Sequence, residues 1–245
     1  MYVIADTHGN CMDLYYKLDM IDKEQERYDT IFICGDVGLE YGEHVQGQMK
    51  KMMASRPYTF IVMRGNHDER YWKNHFNQNN SWYTEEWCGT EVLVQKKYPN
   101  IKYLKDEGGT FTYNGMKCLF IPGGYSVDKD YRILHNWPWC PDEQLTYSEM
   151  DNLIQIAETE KIDVVFSHTA PLSWQPKFED MFLSFIDQST VEKFMEKGLD
   201  EIFYRVKENN PNFAWYFGHF HGNRVISEPD DSWYAEMIYG VYAII

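Results

Sequence analysis

The chain has 245 residues and 29.2 kDa, 44% apolar and 25% charged, which is enough for a sizeable buried core and excludes a disordered, collagenous or coiled-coil chain. Its 38 acidic residues against 23 basic ones give a formal charge of −15, a poor footprint for long nucleic acid, which is held by many Lys and Arg contacts to phosphate. Mean hydropathy is −0.56, no apolar stretch approaches the ~18 residues of a membrane-spanning helix, and Met1 leads straight into a strand-like run without a basic, apolar leader; a soluble, cytoplasmic protein with no membrane partner is expected.

Tyr2–Ala5 reads as a short buried strand. A helix over about Cys11–Ile21, a strand at Thr30–Cys34, a helix at Glu43–Ala54 and a strand at Tyr58–Met63 follow. This alternation predicts an α/β fold built on βαβ units. Arg70–Cys88 is rich in Asn, Trp, Tyr and His without clear periodicity, and reads as a loop or short helix forming a rim. Its Trp72, Trp82, Tyr83 and Trp87, with Trp137 and Trp139, are expected to pack rather than to stack on bases. Over Glu91–Gly123 the runs Val92–Val94, Ile101–Leu104, Thr110–Tyr113 and Met116–Ile121 predict a second, more antiparallel sheet. Asn114-Gly115 between the last two is a two-residue hairpin signal, because both positions tolerate positive φ.

Further on, Thr146-x-x-Glu149 is a capping box before Met150, Leu153, Ile154 and Ala157, and Ser189-x-x-Glu192 is another. The second helix would turn Val191, Phe194, Met195, Ile202, Phe203 and Val206 to one face, with Gly198 interrupting it. Strands are expected at Asp163–Phe166 and Phe213–Phe217, and one or two more in Trp233–Ile245. With no linker or internal repeat, residues 1–245 read as a single domain. The five cysteines (Cys11, Cys34, Cys88, Cys118 and Cys140) are odd in number and widely spaced, which predicts reduced thiols.

The chemistry lies in what ends each apolar run. Tyr2–Ala5 stops at Asp6-Thr-His8-Gly-Asn10, Ile31–Cys34 at Gly35-Asp36, and Phe60–Met63 at Arg64-Gly65-Asn66-His67-Asp68. Val164–Phe166 stops at Ser167-His168, and Ala214–Phe217 at Gly218-His219-Phe-His221. Ligands of open α/β sheets bind outside the carboxyl ends of the strands. Residues two apart on extended chain share a face, so Asp6 with His8, and His219 with His221, can look at one site. Two carboxylates, four imidazoles and one amide carbonyl make a mixed N/O set suited to Mn, Fe, Zn, Co or Ni. Seven donors exceed what one such ion takes from protein, so two ions sharing a carboxylate is the simplest solution. His44, His75 and His135 fit none of these blocks and read as surface or loop residues.

These five blocks, in this order from residue 6 to residue 221, resemble the signature of the calcineurin-like metallophosphoesterase superfamily, its small bacterial and phage-type members in particular. The resemblance implies a four-layer α/β/β/α sandwich, two central mixed sheets flanked by helices. It implies two divalent transition metal ions, manganese first, with Fe, Zn, Ni or Co as alternatives. Asp6, His8 and His221 would hold one, Asn66, His168 and His219 the other, and Asp36 both. A metal-bridging hydroxide would attack phosphorus. His67 would stabilise the transition state or protonate the leaving oxygen, with Asp68 orienting it. Val37-Gly38-Leu39 stands where protein Ser/Thr phosphatases continue with Asp-Arg-Gly, so that phosphate-gripping arginine is missing. Lys129 or Arg132, beyond Gly123-Gly124, could serve instead, Arg132 above all, with Asn10 as a further substrate contact. The expected activity is hydrolysis of a small phosphate monoester or diester. The alternatives are a nuclease or end phosphatase, which needs a local basic patch from Lys96, Lys97, Lys102, Lys129 and Arg132, and a non-catalytic metal-binding scaffold, which predicts a missing ligand.

Overall fold

In the computed structural model, which describes residues 1–24, 28–77, 80–181, 193–228 and 231–243, the first part of the chain alternates as expected. It runs β1 (Tyr2–Ile4), α1 (Cys11–Lys23), β2 (Thr30–Cys34), α2 (Glu43–Ala54) and β3 (Thr59–Met63), with the three strands side by side and parallel. Both faces of these strands are covered, which is why they are unbroken apolar runs. Tyr2, Ile4, Ile31, Ile33, Phe60 and Val62 pack on Leu14, Leu18 and Ile21 of α1 and on Met49 and Met53 of α2. Val3, Ala5, Phe32, Cys34, Ile61 and Met63 point the other way, to the centre of the molecule.

Arg70–Cys88 holds a short helix, one of its two expected forms, and a strand that was not expected. These are α3 (Tyr71–His75) and β4 (Trp82–Trp87). β4 pairs antiparallel with β5 (Thr90–Gln95) across a tight turn at Cys88 and Gly89, whose φ values are 51° and 79°. It lies at a sheet edge with its residues mostly half-buried, so it lacks the apolar period of a buried strand. β5 and β6 (Ile101–Tyr103) also extend the first sheet, β6 parallel to β3. The second sheet therefore begins after these strands, not at Glu91. An apolar run records burial and does not say which sheet accepts the strand. The new sheet opens with β7 (Gly109–Tyr113) and β8 (Met116–Ile121), joined by the expected Asn114-Gly115 hairpin with φ values of 50° and 82°.

A short helix that the sequence reading did not include, α4 (Lys129–Leu134), follows. α5 (Tyr147–Thr159) starts at the predicted capping box: the Glu149 amide donates to Thr146 Oγ1 at 3.2 Å, and the Thr146 amide to Glu149 Oε2 at 2.6 Å. Then come β9 (Val164–Ser167), a 3-10 stretch at Leu172–Met181 and α6 (Phe194–Asn209). Met195, Ile202, Phe203 and Val206 of α6 are buried as expected, with Phe194 packed beside them. The Ser189-x-x-Glu192 box and Val191 lie outside the described residues. Gly198 does not break α6. A Cβ there would come within 2.7 Å of Met150, so the glycine lets α6 lie close against α5. β10 (Ala214–Phe217), β11 (Arg224–Ile226), β12 (Tyr234–Met237) and β13 (Tyr242–Ala243) complete the chain, and the two tail strands join different sheets.

The seven-stranded sheet has the order β13-β1-β2-β3-β6-β5-β4 and the six-stranded one β11-β12-β10-β9-β8-β7. Both are mixed, each with a parallel centre and antiparallel margins. Their inner faces meet through side chains such as Phe32 and Phe166, whose rings stack at 4.2 Å. α5 and α6 cover the outer face of the second sheet around Trp215 and Phe217. The result is the four-layer α/β/β/α sandwich. Among the described residues no helix is long and apolar enough to cross a membrane, and all five cysteines are free.

Candidate functional site

The parallel strands of the two sheets end at one edge, and there the five polar blocks meet. Backbone bonds lace them together: the Asp6 amide to Gly35 O at 3.1 Å, His8 to Asp36 O at 2.8 Å, and Gly218 to His168 O at 3.0 Å. The backbone is strained where they meet. Of nine non-glycine residues with positive φ among the described residues, five are here: Asp6, His8, Asp36, His219 and His221, at 46° to 71°. Such conformations are unfavourable for L-residues and persist at functional sites, where the surroundings enforce them.

Two groups of donors form around Asp36. In the first, His8 Nε2 and His221 Nε2 are 2.9 Å apart, and Asp6 offers an oxygen within 4.8 Å of both. In the second, Asn66 Oδ1 lies 2.8 Å from His168 Nε2 and 3.0 Å from His219 Nδ1. Asp36 Oδ2 stands between them, 3.4 Å from His168 Nε2 and 3.7 Å from His8 Nε2. Its other oxygen accepts the His67 amide at 2.9 Å. The Asp6 carboxylate accepts the His219 amide at 2.9 Å. His168 Nδ1 is 2.9 Å from the Cys34 carbonyl, to which it can only donate, so Nε2 is left as the ligating nitrogen.

Burial raises the Asp6 carboxyl to about 7, with the Asp36 charge adding to it. Burial would also raise Asp36, but the imidazoles of His168, His67 and His8 hold it well below the carboxylate range. His168 would be lowered by burial, yet Asp36 and Asp6 lift it to about 9. Burial and neighbouring imidazoles push His219 well below its ordinary value and His221 down to about 4. The donor chemistry fits divalent cations. The neutral imidazoles of His8, His219 and His221, an amide oxygen and carboxylate oxygens crowd together with lone pairs facing one another; a cation between them would turn that repulsion into attraction and would displace the proton that His168 carries without it.

A cavity of ≈ 660 Å³ opens over His8, Asp36, Asn66, His219 and His221, while Asp6 and His168 lie beneath it. His67, Ser126, Asp128, Arg132 and Phe220 also line it. Arg132 of α4 lines the cavity: Nη2 is 3.3 Å from His67 Nε2, while Nε donates to Asp128 Oδ2 at 2.8 Å. Lys129 does not; its ammonium sits 4.9 Å above the Trp139 ring. Asp68 does not orient His67. Its carboxylate accepts the amides of Gly38 and Gly65, each at 2.9 Å, and of Val37 at 3.3 Å, and so ties two site loops together. Asn10 is not a cavity residue: its Oδ1 caps α1, accepting the amides of Met12 at 3.0 Å and Asp13 at 3.2 Å.

The basic patch needed for nucleic acid does not assemble. Lys102 pairs with Glu85, Lys96 and Lys97 are exposed just beyond β5, and among the described residues Arg132 is the one Lys or Arg lining the cavity. His44 and His135 bond locally to Gln48 and Tyr131, and His75 pairs with Glu69 at 2.7 Å. Ser126, which donates to Glu143 and accepts from Asn66, was missed as a site residue; its only signal is its place after Gly123-Gly124.

Residues 1–223 match the family of calcineurin-like phosphoesterases. The chain belongs to that family. Membership supports metal-dependent hydrolysis of phosphoesters in general. The fold is similar to the crystal structure of phosphopantetheinyl hydrolase from Mycobacterium tuberculosis, with a TM-score of 0.51 and 10% identity over 98% of this chain and 89% of that one. A protein of unknown function from Aquifex aeolicus matches at a TM-score of 0.36 and 15% identity, over 69% of this chain and 79% of that one. No curated protein sequence matches.

Proposed function

We propose that this calcineurin-like phosphoesterase is a single domain over residues 1–245 that hydrolyses a small phosphate monoester or diester in the cytoplasm, with two divalent transition metal ions, manganese first. The position of Asp36 Oδ2 between two groups of donors carries this reading. Asp6, His8 and His221 would hold one ion, Asn66, His168 and His219 the other, and Asp36 both. When bound, such ions make water nucleophilic near neutral pH and offset the charge of phosphate oxygens.

The chain's own residues do the rest. Arg132 presents a planar fork that matches two phosphate oxygens, and its Asp128 partner keeps it aimed at the cavity. His67 Nε2 faces two donors, Arg132 Nη2 and Asn66 Nδ2, both at 3.3 Å, so it presents a lone pair. Burial, Arg132 and His8 keep its pKa low. A phosphate that draws Arg132 away adds negative charge beside the ring and raises that pKa, the condition for carrying a proton to the leaving oxygen.

The test is a substrate panel on protein stripped with chelator and reloaded with Mn²⁺, comparing aryl monoesters, aryl diesters, cyclic nucleotides and single-stranded DNA. Turnover of a small ester that requires Mn²⁺ is the expected result. Activity on DNA alone, falling steeply with salt, would move the assignment to the nucleic-acid-processing members.

A further inference from the structure

An asparagine side chain has one accepting end and one donating end of nearly the same shape, so packing alone does not choose between them. At Asn66 the choice decides whether the site gains a ligand or a repelling N–H. The side chain is fully enclosed, with one end 2.8 Å and 3.0 Å from imidazole nitrogens and the other 2.8 Å from Ser126 Oγ. Ser126 is itself buried, and its oxygen lies 2.5 Å from Glu143 Oε2. The same carboxylate accepts the Ser126 amide on Oε1 at 3.0 Å and Trp139 Nε1 on Oε2 at 2.8 Å. Three donors on one carboxylate leave it acceptor only. A serine hydroxyl has a single proton, and here that proton goes to Glu143. Its oxygen can then only accept from Asn66, which must present its NH₂ to Ser126 and its carbonyl oxygen to His168 and His219. Arg64, two residues before Asn66, donates Nη1 to Glu143 O at 2.8 Å and fixes the carboxylate's backbone to the same block.

We infer that Ser126 and Glu143 are positioning residues that lock the Asn66 amide with its oxygen toward His168 and His219. The inference rests on the reading of those three residues as the second metal position. It extends the site to two residues from outside the five blocks, one of them in the Gly123-Gly124-Tyr125-Ser126 turn.

The test is Mn²⁺ titration of the metal-stripped protein, with free Mn²⁺ followed by electron paramagnetic resonance. The wild type should take up two ions. Glu143→Leu leaves the Ser126 hydroxyl no carboxylate in any rotamer, so its proton can swing to Asn66. The second Mn²⁺ should bind about 10–100-fold more weakly, the range for loss of a partner behind a metal ligand, while the first is unchanged. Ser126→Ala should act in the same direction. In an Asn66→Asp background both ends of the side chain accept, so adding Glu143→Leu should leave the second ion's affinity unaltered. Wild-type affinity for both ions in Glu143→Leu and Ser126→Ala would overturn the inference. So would a Glu143→Leu loss that persists in the Asn66→Asp background, which would mark a packing defect. Fewer than two ions on the wild type would overturn the two-metal reading, and this inference with it.

Discussion

Replacing Gly65 by alanine puts one methyl group against the centre of the site. Its carbon would stand 2.1 Å from Asp36 Oδ1, 2.5 Å from the Asp36 nitrogen and 2.7 Å from Asp36 Cγ. Ordinary contact begins near 3.4 Å, so the carboxylate and the turn holding Gly65 must part by more than an ångström. Forcing a methyl group into a filled site costs about 1–3 kcal/mol. For a domain of this size each kcal/mol lowers Tm by about 2–4 °C, so metal-free Gly65→Ala should melt roughly 2–12 °C below the wild type. Because Asp36 is shared by both donor groups, uptake of both Mn²⁺ ions should fall together. Gly47, inside α2, is the control: an added Cβ meets nothing within 4 Å. There alanine removes the glycine penalty of a helix interior, and Gly47→Ala should be more stable by about 0.5–1 kcal/mol. Calorimetry of the stripped proteins and Mn²⁺ titration read both effects. A Gly65→Ala protein with wild-type Tm and two tightly bound ions would refute the account of how the Gly65 turn and Asp36 fit together.

His67→Ala should keep both ions and lower kcat about 10²–10⁴-fold, the usual share of a proton-transfer group; unchanged turnover on aryl and alkyl esters alike would remove His67 from the chemistry. Arg132→Lys keeps the charge but loses the fork, and should weaken kcat/KM for a small ester about 10–100-fold, the worth of one charge-assisted hydrogen bond; steady-state kinetics on one aryl ester decides it. Glu196, buried on α6 near Thr169, is raised by burial from 4.5 to about 7. The native state therefore holds a proton that the unfolded chain has lost, so stability falls as pH rises from about 4.5 to about 7 and levels off above. That is about 3 kcal/mol. The gap between urea midpoints of metal-free protein at pH 5 and pH 8 should narrow in Glu196→Gln, with buried Asp6 and His168 supplying the slope that remains, and an unaltered pH slope would show that this carboxyl does not titrate in that window.

Much of the site was legible in the chain itself, because strand ends punctuate it. A parallel strand covered on both faces has to be apolar throughout, so the polar residue that stops it is conspicuous: Asp6, Asp36, Asn66, His168 and His219 each stand just past such a run. The capping box at Thr146 and the hairpin at Asn114-Gly115 were equally readable, since both depend on neighbours only a few residues apart. What depended on distant chain was not. β4 carries Trp and Glu on a half-buried edge, so it has no period of its own. β6 joined the first sheet on the edge of β3, and β5 on the edge of β6, a matter of pairing that no run of residues records.

The sequence by itself determined which groups could hold a cation or carry a proton, because their chemistry is that of the side chains. Only tertiary structure decided what each of them faces. Asp68 turned to the amides of Val37, Gly38 and Gly65 instead of to His67, and Asn10 turned back to cap α1. Among the described basic residues, Arg132 alone reached the cavity. Hydrogen bonds and lone pairs are directional and act over about 3 Å, so a side chain's role is set by whichever partner the folded chain brings within reach, 3 positions away for Asn10 and 65 for Arg132.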